Sequence, residues 1–176
     1  ARQQVGARAG VAPDDLAFFE MHGTGTPAGD PIEAGAIGRF LGKGRSEQPL
    51  PIGSIKTNIG HLESASGLAG LIKALLSLQH GVLPRSLNFN KPNPHIPFAE
   101  HKLAVAEKPV QLTNPDQIYA GVNSFGFGGT NAHVILTAGG AGTTAATPSR
   151  PRNSDAAKVF SISAHTRPAL AALAER

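Results

Sequence analysis

The chain has 176 residues, with 21 Gly, 14 Pro, 16 Lys plus Arg, 12 Asp plus Glu and no cysteine. Hydrophobic residues make up 40%, enough for a core of about one domain with some extra chain, and the missing cysteine excludes a disulfide framework, a thiolate zinc site and a thiol nucleophile within these residues. The net charge of +4 favours acidic partners in general. Its basic residues are scattered, however, and no Trp and one Tyr are available for stacking, so nucleic acid is not an expected partner.

In chain order, residues 1–12 are polar and Ala-rich and suit a surface helix. The apolar run LAFFEM (16–21) predicts a short buried strand. It leads into HGTGTP (22–27), which is incompatible with regular structure. Asp30, Pro31 and Glu33 then carry a helix-start signature, with Asp at the N-cap, Pro at the first position and Glu at the third. On this reading Asp30 and Glu33 are structural caps, and the helix runs to about Leu41 and stops at Gly42. PIGSI (51–55) predicts a second strand, followed by a loop KTNIGH.

Residues 64–79 predict a helix that is apolar nearly all round, through Leu68, Leu71, Ile72, Leu75, Leu76 and Leu78, and therefore buried. Ser64, Gly67, Gly70 and Ala74 leave one of its faces small enough for close backbone approach. Residues 84–97 hold four prolines and read as an extended surface loop. Strands are expected at 103–106 and 119–123, then a glycine loop FGFGGT (125–130), then a buried strand AHVIL (132–136). Residues 137–157 read as a flexible linker, and 158–163 and 167–176 as a strand and a helix. Strands alternating with helices, one helix wholly buried, point to a multilayer α/β domain. No apolar run approaches the ~18 residues of a membrane span. ARQQVGARAG lacks the apolar segment of a signal peptide, so a cytoplasmic protein is expected.

Three segments combine glycines with polar groups after a strand. His22 sits in HGTGT, where glycines permit a tight turn and Thr24 and Thr26 offer hydroxyls. His61 ends KTNIGH ahead of the long helix, where the helix dipole and Lys56 both disfavour imidazolium. A neutral ring there can donate to a developing oxyanion, or it can merely cap the helix. NSFGFGGTN (123–131) lacks the spacing of a dinucleotide or phosphate loop. A bent glycine loop can instead present N–H groups as an oxyanion hole. There is no G-x-S-x-G elbow, and His22, His61 and His133 lack metal-ligand spacing, so no metal is expected.

Taken together, HGTGTPAGDPIEA, GSIKTNIGHLESASGLAGLIKALLSLQHG, LNFNKPNPHI and GVNSFGFGGTNAHVIL closely resemble, in order and spacing over about residues 12–136, the β-ketoacyl synthase domain of type I polyketide synthases and animal-type fatty acid synthases. The fold this implies is the second half of a thiolase-like αβαβα sandwich. Its domains would be a carboxyl-terminal ketosynthase half over 1–136, a linker over 137–157, and the start of a ketosynthase–acyltransferase linker domain over 158–176. The implied chemistry is decarboxylative Claisen condensation of an acyl thioester with a malonyl unit, the nucleophilic cysteine lying in an amino-terminal half that these residues do not include.

His22 and His61 match the family's two catalytic histidines and Lys56 its lysine. Thr24 and Thr26 match the hydroxyls that contact phosphopantetheine. Phe127 matches the second oxyanion-hole donor through its N–H and a gate through its ring. The departures are Met21, where Ala is usual, and Asn123, where Ser is frequent. No cofactor is bound directly on this reading; substrate arrives on the phosphopantetheine of an acyl carrier protein. The implied partners are the amino-terminal half, that carrier protein, an adjacent acyltransferase domain and a second copy of the complete domain. Alternatives are a half-site that only decarboxylates and a non-catalytic scaffold.

Overall fold

The computed structural model describes residues 9–45, 48–112, 119–137 and 166–174. LAFFE forms the central strand β1 (Leu16–Glu20), buried on both faces as its unbroken apolar run demands. Parallel neighbours flank it on either side: β2 (Leu50–Gly53) and β6 (Tyr119–Phe125). With β4 (Leu103–Val105) and β7 (Asn131–Thr137) the sheet order is β4-β2-β1-β6-β7. All its pairings are parallel except β6 with β7, a hairpin around the FGFGGT loop. The two-residue strands β3 (Val82–Leu83) and β5 (Val110–Gln111) pair separately as a small antiparallel ribbon. These were not predicted.

Helices cover both faces of the sheet. On one face, α1 (Gly29–Ile37) places Ala34 and Ile37 against Phe19, Met21, Leu50 and Ile52. On the other, α3 (Ser66–His80) places Ala74 and Leu78 against Phe18, Ala120 and Val122. A register shift in the β1–β6 pairing between Leu16 and Phe18 lets Leu16 join Phe19 and Met21 on the α1 side. The result is the α/β layering expected from the sequence.

Four expectations change in detail. The first helix gives way at Ile37 to a π-helical turn, Gly38–Gly42, in which Lys43 N–H reaches back to Gly38 C=O at 2.8 Å. KTNI is not a loop but a single turn, α2 (Lys56–Ile59). The long helix is not buried all round. Its small face lies so close to the sheet that a β-carbon on Gly67 would stand 2.7 Å from Ser124 Oγ, whereas Leu68 is 63% and Ile72 55% exposed on the outer face. Strand β7 is an edge strand with mostly exposed side chains, not a buried one, because nothing among the described residues lies beyond it.

Residues 1–8, the predicted linker and the predicted strand at 158–163 lie outside the described residues. The chain divides into two units, Ala1–Thr143 and Thr144–Arg176. In the second, α4 (Arg167–Ala174) forms where a helix was expected, with Pro168 in its first turn, where a missing N–H costs nothing. Among the described residues no helix is long and apolar enough to cross a membrane.

Candidate active site

The polar loops converge at the carboxyl ends of the parallel strands, where ligands collect in open α/β sheets. His22 follows β1, Lys56 follows β2, and Phe125 ends β6. The two imidazoles meet edge to face, ring centroids 5.5 Å apart at 85°. They line one cavity of about 450 Å³ together with Gly67, Leu71, Ser124 and Phe125.

Hydrogen bonding fixes the tautomer of both rings. The N–H of Phe125 donates to His22 Nδ1 at 3.3 Å. The N–H of Glu63 donates to His61 Nδ1 at 2.9 Å, with Ser66 Oγ at 3.2 Å. A nitrogen that accepts carries no proton, so in each neutral ring the hydrogen sits on Nε2. Glu63 adopts φ 49° to make that bond, a left-handed conformation that a residue with a side chain enters at some cost. Burial holds the His22 imidazole below its ordinary pKa, helped by the positive charges of Lys56 and of His61 when protonated and opposed by Asp30. Its neutral form is therefore favoured. Burial likewise lowers the Lys56 ammonium, against the pull of Glu20 and Glu33.

The two carboxylates read from the sequence as helix caps serve differently. Helix α1 starts at Gly29, its N-cap is Ala28, and no side chain of that residue bonds to the helix. Asp30 instead accepts the Gly25 N–H at 3.0 Å, and Thr26 Oγ1 accepts the Gly29 N–H at 3.0 Å. Glu33, 4% exposed, turns back under the HGTGT loop. It accepts the N–H groups of His22 at 2.9 Å and Gly23 at 3.0 Å, and Nδ2–H of Asn123 at 2.7 Å. The loop folds over the helix start, so its N–H groups reach both carboxylates and the helix's own do not. Gly23 makes this possible, with φ 46° and no room for a β-carbon, which would stand 2.8 Å from Ser54 Cβ.

A second buried carboxylate, Glu20, anchors the other histidine loop. It accepts the Ile55 N–H at 2.6 Å, just before α2, and pairs with Lys73 Nζ at 2.6 Å. Burial pushes its carboxyl up in spite of Lys73. Neither Glu20 nor Lys73 was singled out in the sequence, although an acidic residue ending an apolar strand and one Lys in an apolar helix were visible signals.

Of the predicted residues, then, His22 and His61 share a cavity, and the Lys56 charge acts on His22. Thr24 and Thr26 stay on the exposed loop, their hydroxyls 3.4 Å apart. Phe127 stands fully exposed at the hairpin tip, and Phe125 is the ring that meets His22, centroids 5.4 Å apart. Among the described residues no group of His, Asp and Glu is disposed to hold a metal ion.

Residues 1–90 match the family described as beta-ketoacyl synthase, C-terminal domain, and residues 92–176 match the ketoacyl-synthetase C-terminal extension. The chain is 54% identical over 139 residues to a polyketide synthase of Streptomyces halstedii, covering 77% of this chain and 2% of that protein. Against a highly reducing polyketide synthase of Aspergillus terreus it is 55% identical over 131 residues, 73% of this chain and 5% of the other. Among solved structures, ketosynthase twelve of the bacillaene polyketide synthase from Bacillus amyloliquefaciens superposes with TM-score 0.72 at 42% identity, over 76% of this chain and 24% of that one. The ketosynthase from module 6 of the Bacillus subtilis bacillaene synthase gives 0.73 at 37% identity, over 78% and 25%.

Proposed function

The chain belongs to the β-ketoacyl synthase family, as its carboxyl-terminal domain, and from that premise we propose that it supplies the two-histidine half of a condensing site in polyketide chain extension. One observation carries the reading: two imidazoles face one cavity, each with Nδ1 occupied by a main-chain N–H and Nε2 left to donate.

Two such donors suit an oxygen on which negative charge develops. When a malonyl thioester loses CO₂, the electron pair of the breaking C–C bond passes to the thioester oxygen as an enolate. His22 and His61 donate to that oxygen, and one donor of this kind is worth about 3–4 kcal/mol of barrier. The enolate carbon then attacks an acyl thioester, and the thiolate departs. That thiolate belongs to a cysteine outside these residues, on the amino-terminal half. Burial, helped by the Lys56 charge, favours neutral His22, so that Nδ1 accepts the Phe125 N–H and Nε2–H stays free for the substrate oxygen. Thr24 and Thr26 contact the phosphopantetheine of the carrier protein, and the Phe127 N–H and ring complete the oxyanion hole and gate when the partner half is in place.

The exposed outer face of α3, with Leu68, Ile72, Leu75 and Leu76, supports docking of that amino-terminal half. An apolar cavity of about 520 Å³ beside it, between Ile55, Ile59, Leu76 and Val82, supports the same reading. Residues 1–136 form the ketosynthase half, and the segment after the 137–157 linker leads toward an acyltransferase domain. Alone, the chain does not condense.

The test is complementation. Co-expression with the amino-terminal half should restore condensation of acyl and malonyl thioesters, and His61→Ala should abolish it while acyl loading of the cysteine survives in part. Equal and complete loss of both steps in His61→Ala would overturn the assignment. Release of CO₂ from malonyl carrier protein by the chain alone would support the decarboxylating half-site instead.

A further inference from the structure

We propose that Asn123 and His133 are positioning residues for His22, holding it from the β6–β7 hairpin through Glu33. The catalytic part of this inference rests on the condensing role of His22; the structural part does not.

Asn123 is 3% exposed on β6 and uses both ends of its amide. Nδ2–H donates to Glu33 Oε1 at 2.7 Å, and Oδ1 lies 2.9 Å from His133 Nδ1. Since Oδ1 can only accept, His133 Nδ1 carries the proton in this contact. The two residues are direct cross-strand partners in the hairpin. The His133 ring is fixed in turn by stacking on Phe19, centroids 5.6 Å apart and 14° between planes. The order is thus His133 to Asn123, Asn123 to Glu33 Oε1, and Glu33 to the main chain of His22 and Gly23.

An amide buried in an otherwise apolar strand is costly unless both its ends are bonded. Here the bonds do more than satisfy it. They set which way the Glu33 carboxylate faces, and that carboxylate holds the His22 loop. The same hairpin grips the His22 ring two residues further on, through the Phe125 N–H. Main chain and ring of one histidine are therefore located by a single supersecondary unit, whose tip carries Phe127.

The experiment uses the complete condensing enzyme that contains this chain. Asn123→Ser is too short to bridge both partners. His133→Phe keeps an aromatic ring over Phe19 without the Nδ1 proton, and His133→Asn restores a donor nitrogen at the same δ position. Condensation kcat should fall about 10- to 100-fold in the first two, the scale expected when a reacting group moves by about an ångström. KM should change little, and His133→Asn should recover most of the loss. Amide hydrogen exchange should quicken at His22 and Gly23 while residues 131–137 keep their protection.

Unchanged kcat and exchange in Asn123→Ser and His133→Phe would overturn the proposal. So would a loss in which kcat, KM and exchange throughout the hairpin change together, since that marks a fold defect. If Asn123→Ser does not fold, the two His133 variants decide alone. If the enzyme does not condense at all, selective exchange at His22 and Gly23 still upholds the positioning role, and the functional reading falls by itself.

Discussion

Replacing Glu33 separates a helix cap from a loop clamp. A capping carboxylate lost to Ala costs about 1 kcal/mol. Glu33 instead accepts three hydrogen bonds at 2.7–3.0 Å while nearly excluded from water. Bonds to a charged acceptor contribute about 1.5–3 kcal/mol each. They are not additive when they share one carboxylate, so Glu33→Ala should cost about 3–5 kcal/mol. Glu33→Gln keeps an oxygen for His22 and Asn123 but turns an NH₂ group toward the Gly23 N–H, and should cost about 1–3 kcal/mol. Urea unfolding of the condensing domain measures both. Graded losses in that order, with condensation falling further than stability alone explains, fit the clamp. Two variants both within about 1 kcal/mol of the parent would refute it.

Other outcomes follow from the same geometry. Lys56→Met removes a positive charge that, after burial, does most to depress His22. The acid limb of the kcat–pH profile should lie below the ordinary histidine value of 6.5 in the parent and move upward in Lys56→Met. The linkage has the same sign: with His22 lowered in the fold, protonation favours the unfolded chain, so stability should erode as pH falls below 6.5. Gly121→Ala would place a β-carbon 2.4 Å from a ring atom of the buried Phe19. It should destabilise by about 1–3 kcal/mol or more in thermal or urea unfolding. Leu68→Glu with Leu76→Glu should make the isolated chain more soluble and abolish complementation by the amino-terminal half, scored by dye binding and by co-purification.

Much of this was legible in the residues. LAFFEM read as a buried strand, and Gly67, Gly70 and Ala74 foretold the close approach of α3 to the sheet, while Ser64, placed on the same face in the sequence reading, lies before the helix and is exposed. The two histidines were identifiable because each follows a strand in a glycine-bearing loop. Glu33 was misread because a cap and a clamp share one sequence signature, and the difference lies in where the preceding loop folds. The outer face of α3 was read as buried since periodicity reports hydrophobicity and not the presence of a covering layer. Asn123 and His133 were within reach. Closing FGFGGT as a hairpin between Phe125 and Asn131 sets 123 opposite 133, a polar pair in two apolar strands. The π-helical turn at Gly38 left no such trace, because its extra residue alters backbone bonding and not the spacing of apolar side chains.

The occupied Nδ1 atoms have a consequence for proton traffic. An imidazole relays a proton by taking it at one nitrogen and releasing it at the other. Here a main-chain N–H blocks that second nitrogen on both rings. His22 and His61 in this tautomer are therefore donors and not conduits: Nε2 already holds its hydrogen, and Nδ1, the nitrogen with the free lone pair, is taken by the main chain, so neither ring accepts a proton from the cavity without giving up that bond. A proton that the chemistry in this cavity consumes has to come from another group or from solvent entering the cavity, and not through either ring.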